Sequence, residues 1–249
     1  MGKTAVYAGT KNTYEDILIS CKSLFANSDV DTVYLFIEDD EFPMKLPREV
    51  KTINVSDKKA LFEGGANEKS RFTYMGLLKS ALCRFVPKVK KALMLDYDTI
   101  VTDDISELWD TDLKGFYWAG VPDLGVPTEP GKPKYFNSGV ALMNFELLRK
   151  DGVDKAMLED LNVSYARYGD QDVLNKFCYG SVLEIPVCYN ESPVTGHTMN
   201  PKIVHYAGLA KENGYLNRER RHFYNAYKTL DWPDIQAKRE ARYGKSLTI

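Results

Sequence analysis

The sequence predicts an α/β fold, a mixed and mainly parallel sheet flanked by helices, and two observations carry that reading. Thr4–Ala8, then a segment with Ile17, Leu18, Cys21, Leu24 and Phe25 at helical spacing, then Thr32–Ile37 follow one another as strand, helix and strand, which is the order of a βαβ unit. Further along, the apolar run Ala92-Leu93-Met94-Leu95 enters Asp96-Tyr97-Asp98, and the β-branched run Thr99-Ile100-Val101 leaves it. A continuous apolar run is the mark of a strand covered on both faces. Its acidic end falls where open α/β sheets bind ligands, just beyond the carboxyl ends of their strands.

The remaining elements fit between these. After the first strand, Gly9-Thr10-Lys11-Asn12-Thr13 is a turn-rich loop with a helix cap at Asn12 or Thr13. Residues 51–55 supply another short strand. Residues 70–86 are expected to form one helix, burying Phe72, Leu77, Ala81 and Phe85 and closed by Pro87. After the acid-ended strand, a helical turn over 105–109 packs Leu108 and Trp109 into the core, and residues 116–121 are strand-like. The segment 125–134 holds three prolines and two glycines, so it is a loop and a candidate lid. Residues 135–144 form an apolar segment broken by Asn137-Ser138-Gly139. Helices are expected over 153–168 and 171–179, a last strand over 202–208, and peripheral C-terminal helices over 218–230 and 235–243.

Composition narrows the class. A chain of 249 residues, 44% apolar and 27% charged, can bury a substantial core, and one domain over 1–249 is expected. No run of about 18 apolar residues exists to cross a membrane as a helix. The first residues enter a strand-like run without a signal-peptide apolar region, so a cytoplasmic protein is expected. Cys21, Cys83, Cys178 and Cys188 stand singly, the pattern of reduced thiols rather than of disulfides or a zinc site. Net charge is −2, yet residues 211–249 hold nine Lys/Arg against five Asp/Glu, a local +4 that leaves −6 for the rest. That basic helical tail, 212–249, hints at peripheral contact with a membrane or an anionic acceptor, while a solvated basic helix face accounts for it more simply. There is no GxGxxG or P-loop, and no basic-aromatic interleaving of the nucleic-acid-binding kind, so no nucleic-acid partner is expected.

Candidate chemistry lies at strand and helix ends. With strand alternation Asp96 and Asp98 face one side and can share a hard divalent ion. The alternative is that one caps the next turn and the other is solvated. Buried Asn137 needs partners, for which sugar hydroxyls are candidates. Asp170-Gln171-Asp172 opens a helix, where acids serve equally as caps. His205 ends a strand, a place where histidine is commonly structural.

Taken together, four blocks resemble glycosyltransferase family 8, the retaining, metal-dependent GT-A enzymes that include bacterial lipooligosaccharide galactosyltransferases and the glycogenins. They are Leu95-Asp96-Tyr97-Asp98-Thr99 with Leu108-Trp109-Asp110, Tyr135-Phe136-Asn137-Ser138-Gly139-Val140, Asp170-Gln171-Asp172-Val173-Leu174-Asn175, and His205-Tyr206-Ala207-Gly208-Leu209-Ala210-Lys211. The likeness runs from Thr4 to about Lys211. It implies a GT-A, Rossmann-like fold and retaining transfer of a hexose from UDP-glucose or UDP-galactose to a glycan, glycolipid or protein acceptor. It also implies that Asp96, Asp98 and His205 ligate Mn2+, with Mg2+ as the alternative ion, and that Lys211 with the backbone near Gly208 caps the leaving phosphates.

By the same resemblance, Asp123, Asn137 and Asp170 hold the donor sugar, with Ser138 in the same block. Gln171 lies on the β face opposite the leaving group, where a carboxamide suits charge stabilisation better than nucleophilic attack. Ala8, Gly9, Thr10, Asn12 and Tyr14 would hold the uridine, and Asp96 or Tyr97 would contact ribose and base. Two positions depart from the family. Lys79 stands seventeen residues before Asp96 where an Arg is frequent, which keeps the charge and loses the planar fork. Gly9-Thr10 stands where some relatives carry acids. Two rival readings are a catalytically silent sugar-nucleotide binding protein, against which Asp170 and Gln171 speak, and a nucleotidyltransferase, for which the first loop is poor in glycine and basic residues.

Overall fold

The computed structural model describes residues 2–207 and 215–249, without the side chains of 215–219. Its strands are β1 (Thr4–Ala8), β2 (Thr32–Ile37), β3 (Val50–Asn54), β4 (Lys91–Leu95), β5 (Thr99–Val101), β6 (Trp118–Pro122), β7 (Phe136–Asn144), β8 (Val182–Glu184) and β9 (Ile203–His205). Its described helices are α1 (Tyr14–Asn27), α2 (Tyr74–Leu78), α3 (Ser106–Trp109), α4 (Phe145–Lys150), α5 (Val153–Val163), α6 (Asp170–Phe177), α7 (Tyr215–Lys228) and α8 (Trp232–Tyr243).

The opening βαβ unit forms as read, with β1 and β2 parallel from Thr4–Thr32 to Ala8–Phe36. β3 extends the sheet beyond β2, whereas β4 joins the other side of β1, giving the order β3-β2-β1-β4-β7-β6-β8. β7 runs antiparallel to both β4 and β6, and the other pairings of this sheet are parallel. The chain therefore changes direction along the sheet between β1 and β4, and at such a switch point the strand ends splay into a ligand crevice. The loop after β1 and the aspartate turn after β4 are its two walls.

Strand alternation sorts side chains between two apolar layers. Ala5, Tyr7, Leu93 and Leu95 meet Leu24, Phe25, Leu108 and Trp109 on one face, while Val6, Ala92 and Met94 meet Leu78, Met157 and Leu174 on the other.

Several elements differ from expectation for local reasons. The helix expected over 70–86 is only α2, followed by 3-10 turns over Lys79–Arg84 with Ala81 outside helical geometry. Residues 77–83 are all buried, so no amphipathic face governs this segment and helical periodicity does not describe it. β7 is continuous through Asn137-Ser138-Gly139, because Gln171 meets the side chain of Asn137 and the backbone of Ser138. α5 stops at Val163 rather than running to 168. The buried Asn67 side chain takes the carbonyls of Leu161 and Ser164 and the N–H of Ala166, a stop supplied from a hundred residues upstream. Thr13 does not cap α1; its hydroxyl donates to the Thr10 carbonyl within a 3-10 turn over Lys11–Thr13.

The C-terminal helices are expected to be peripheral, and α8 is not. Trp232 and Ile235 are buried in the α1 layer, the Trp232 indole donates to the Lys45 carbonyl, and Arg239 donates to the carbonyls of Ser28 and Val30. Among the described residues, no helix is long and apolar enough to cross a membrane. Ile235→Ala is expected to lower stability by about 2–5 kcal/mol, read from urea unfolding; a loss under about 0.5 kcal/mol would show α8 to be an appendage.

Candidate active site

β4 ends at Leu95, and Asp96-Tyr97-Asp98 is a turn rather than a pleated strand, so alternation is not what aligns the two carboxylates. The backbone does it. Asp96 N–H donates to the Gly139 carbonyl (2.8 Å), the Thr99 hydroxyl donates to the Asp96 carbonyl (2.7 Å), and Tyr206 N–H donates to the Asp98 carbonyl (2.9 Å). Beyond the turn, β5 pairs antiparallel with β9 and sets His205 directly opposite Thr99. His205 Nε2 then lies 3.4 Å from Asp98 Oδ1 and 3.6 Å from Asp96 Oδ2.

The three residues each offer one ligand atom within a 4.8 Å group. Adjacent donors around a divalent ion sit about 3 Å apart, and an imidazole with two carboxylates suits Mn2+ or Mg2+ better than a soft metal. The donor set therefore fits a hard cation. Gly139 makes room for the His205 ring: a Cβ there would lie 2.0 Å from His205 Cε1 and 2.6 Å from Nδ1. That glycine is required by the close approach of a ring, not by an unusual backbone angle.

Burial disfavours protonated His205, but Asp98 and then Asp96 outweigh it and hold the imidazole above its ordinary pKa. Lys79, also buried, pairs with Asp96 and lies 3.2 Å from Asp170 Oδ2. Burial alone would depress its pKa; Asp170 and Asp96 raise it, so the ammonium persists. Asp170 is pushed up by burial, opposed by Lys79, with Asp96 pushing up further.

Gly169, at φ +59°, starts α6 and brings Asp170 and Gln171 under the end of β7. Gln171 Oε1 accepts from Asn137 Nδ2 and Ser138 N–H, both at 3.1 Å, and Gln171 Nε2 donates to Asp123 Oδ2, also at 3.1 Å. Asn137 Nδ2 donates to the same Asp123 oxygen at 3.3 Å. Asn137 Oδ1 accepts from Gly139 N–H and from Asn190 Nδ2, which leaves Asn190 Oδ1 to accept from His205 Nδ1 at 2.9 Å. The Gly139 N–H thus dictates every amide orientation in turn, and His205 carries its proton on Nδ1 with Nε2 toward the carboxylates.

Asn190 is the residue that sequence reasoning missed. It stands alone after a 3-10 turn, Val187–Tyr189, and nothing local marks it. The first loop is brought only partly to the site. Ala8 and Gly9 close β1, with Gly9 N–H on the Phe36 carbonyl. Thr10 lines a cleft of about 800 Å3 with Glu38, Phe72, Thr73 and Tyr74, and Asn12 is exposed. Tyr14 is buried beside that loop; its hydroxyl donates to Asp39 and accepts from Glu38 N–H, and its ring meets Phe42. Tyr97 is half-buried, its phenol pushed up to about 12 by burial and then by Asp98 and Asp96. Gly208 and Lys211 lie outside the described residues.

An aspartate turn and a facing histidine at the switch point of a Rossmann-like sheet, beside a buried carboxamide network, define a GT-A fold. Residues 38–212 match the model of glycosyl transferase family 8, and the chain belongs to that family. It is 31% identical over 184 residues to a probable glycosyl transferase Gly of Streptococcus gordonii, covering 69% of this chain and 26% of that one. It is 26% identical over 269 residues to glycosyltransferase GlyB of Streptococcus pneumoniae, covering 96% and 65%. The chain thus spans from about a quarter to two thirds of these curated relatives. The fold matches the galactosyltransferase LgtC, solved with donor and acceptor sugar analogues, with a TM-score of 0.73 at 20% identity over 93% of this chain and 99% of that one.

Two expectations follow. Gly139→Ala, by displacing the ring, and Asn190→Ala, by freeing it, should each weaken divalent-cation binding about 10- to 100-fold in calorimetry while the protein stays folded; unchanged affinity in both would refute the seating. Because the folded His205 pKa is raised above about 6.5, its proton stabilises the metal-free fold fully below that value, and the contribution fades as pH rises through the folded value. His205→Gln should remove that dependence from urea midpoints of chelator-treated protein.

Proposed function

We propose that this chain is a retaining glycosyltransferase that moves a hexose, glucose or galactose, from a UDP-sugar to a hydroxyl of a glycan, glycolipid or protein, with Mn2+ as its ion, in the cytoplasm and with the basic C-terminal segment available for peripheral membrane contact. The observation that carries the reading is the convergence of Asp96, Asp98 and His205 beside the buried Asp123–Asn137–Gln171 network.

Asp96, Asp98 and His205 would hold the cation, which supplies positive charge to the diphosphate as it leaves. Lys79 adds a fixed ammonium beside Asp96, Asp170 keeps that ammonium in place, and Asp123 and Asn137 orient the sugar hydroxyls. Lys211 and the backbone at Gly208 complete the phosphate contacts, and Gly9, Thr10 and Asn12 with Tyr97 contact the nucleoside. The acceptor oxygen bonds to the anomeric carbon on the face the diphosphate leaves, and the acceptor proton passes to the departing phosphate oxygen. Gln171 stabilises the positive charge on the sugar. Both hydrogen-bonding positions of its Oε1 are already occupied, which supports this role over attack on the anomeric carbon.

The test is UDP release from UDP-glucose and UDP-galactose without acceptor, with and without Mn2+. Release from one donor that depends on Mn2+ and falls at least about 100-fold in Asp98→Asn is the expected result. Release indifferent to Mn2+, or undiminished in Asp98→Asn, would overturn the assignment.

A further inference from the structure

Tyr168, two residues before Asp170, is approached by two guanidinium groups: Arg71 Cζ lies 5.5 Å and Arg167 Cζ 5.4 Å from its ring centroid. Arg71 also lies 4.8 Å from the centroid of Phe72, and Tyr135 meets Tyr168 edge-on at 6.4 Å. Both arginines are exposed. Among the described residues no carboxylate pairs with either of them, and ring faces are their partners. Lys134 and Lys176, by contrast, are paired with Glu184 and Asp160. The acids that follow Arg167 are engaged elsewhere, Asp170 with Lys79 and Asp172 with the Tyr135 hydroxyl and Tyr168 N–H. Glu68, three residues before Arg71, lines the same cleft as Phe72 and is not paired with either arginine.

Two exposed guanidinium groups against one ring, neither paired with a carboxylate, leave positive charge that an anion bound at the ring would neutralise. Stacking also holds a guanidinium flat and leaves its N–H edges free for bidentate contact with a planar or tetrahedral oxyanion. The platform is tied to the reaction centre. The Tyr168 carbonyl accepts from Gln171 N–H at 3.2 Å, and the Phe72 ring fills the space where a Cβ of Gly169 would stand, at 3.2 Å.

We propose that Arg71, Tyr168 and Arg167 form the acceptor platform and that the acceptor is an anionic saccharide, bearing a phosphate or carboxylate beside the hydroxyl that is glycosylated. The inference rests on the glycosyl-transfer reading and adds the charge of the acceptor to it. The leaving diphosphate is a separate anion, assigned above to Lys79 and the cation ligands.

The experiment is calorimetric titration of protein saturated with UDP and Mn2+, so that the donor side is filled, using glucose 6-phosphate, glucuronate and glucose as probes. Both anions should bind at least about tenfold more tightly than glucose, and the Arg71→Gln/Arg167→Gln double variant should lose about tenfold per guanidinium for the anions alone. Arg167→Glu, a charge reversal at an exposed site, should lose more, and melting temperatures check that each variant is folded. Phosphate over carboxylate preference identifies which anion the platform suits. Equal binding of glucose, no binding of either anion, an undiminished double variant, or capture of phosphatidylglycerol vesicles without binding of sugar anions would overturn the inference. A separate titration of UDP into the nucleotide-free wild-type protein with Mn2+ reports the donor site by itself, so failure of the platform is distinct from failure of the glycosyl-transfer reading.

Discussion

Everything at this site depends on one steric fact: the His205 ring occupies the space that any side chain at position 139 would need. Two sheets meet there. The register of β4 with β7 places Gly139 beside the aspartate turn, and the register of β5 with β9 places His205 across from Thr99. If either register slipped by one residue, the side chains would swap faces and the three ligand atoms would separate. The small antiparallel pair is thus the element that completes the site, although it adds little to the core.

From that seat two polar branches run outward. One passes through Asn190 to Asn137, Gln171 and Asp123; the other passes from Asp96 through Lys79 to Asp170. Buried polar groups are tolerated where each is partnered, and here the partnering also couples the cation ligands to the groups assigned to the sugar. Lys79 acts as a point charge between two carboxylates, a task that does not use the fork of an arginine. Its persistence as an ammonium compensates Asp96 and Asp170 inside an environment that would otherwise neutralise them.

The C-terminal part braces this arrangement from behind. Glu191, next to Asn190 and fully buried, receives Arg220 of α7 through both of its carboxylate oxygens, and its backbone pairs with β9 on either side. α8 in turn closes the α1 layer with Ile235 and Arg239. A buried carboxylate left without its arginine costs several kcal/mol, so α7 supports the loop that orients His205.

The opening βαβ unit, the apolar run of β4 and the acidic turn were legible in the sequence because each is a local pattern of periodicity and composition, and strand alternation sorts their side chains as that pattern requires. Asp96, Asp98, Gly139, Gln171 and His205 were legible as blocks through family resemblance, since motif residues are contiguous. Tertiary structure alone decided the rest. The stop of α5 comes from Asn67, the break after α2 from burial all round, and the orientation of His205 from Asn190 and Gly139, each a partner distant in sequence whose effect has no local period. The basic residues of the C-terminal segment advertise solvent, yet Arg239 is buried, because the end of α1 and its connection to β2 present the carbonyls of Phe25, Ser28 and Val30 to a long donor. Local periodicity determines which segments become strands and helices; only packing decides which polar atoms must face one another, because that depends on what else is excluded from water.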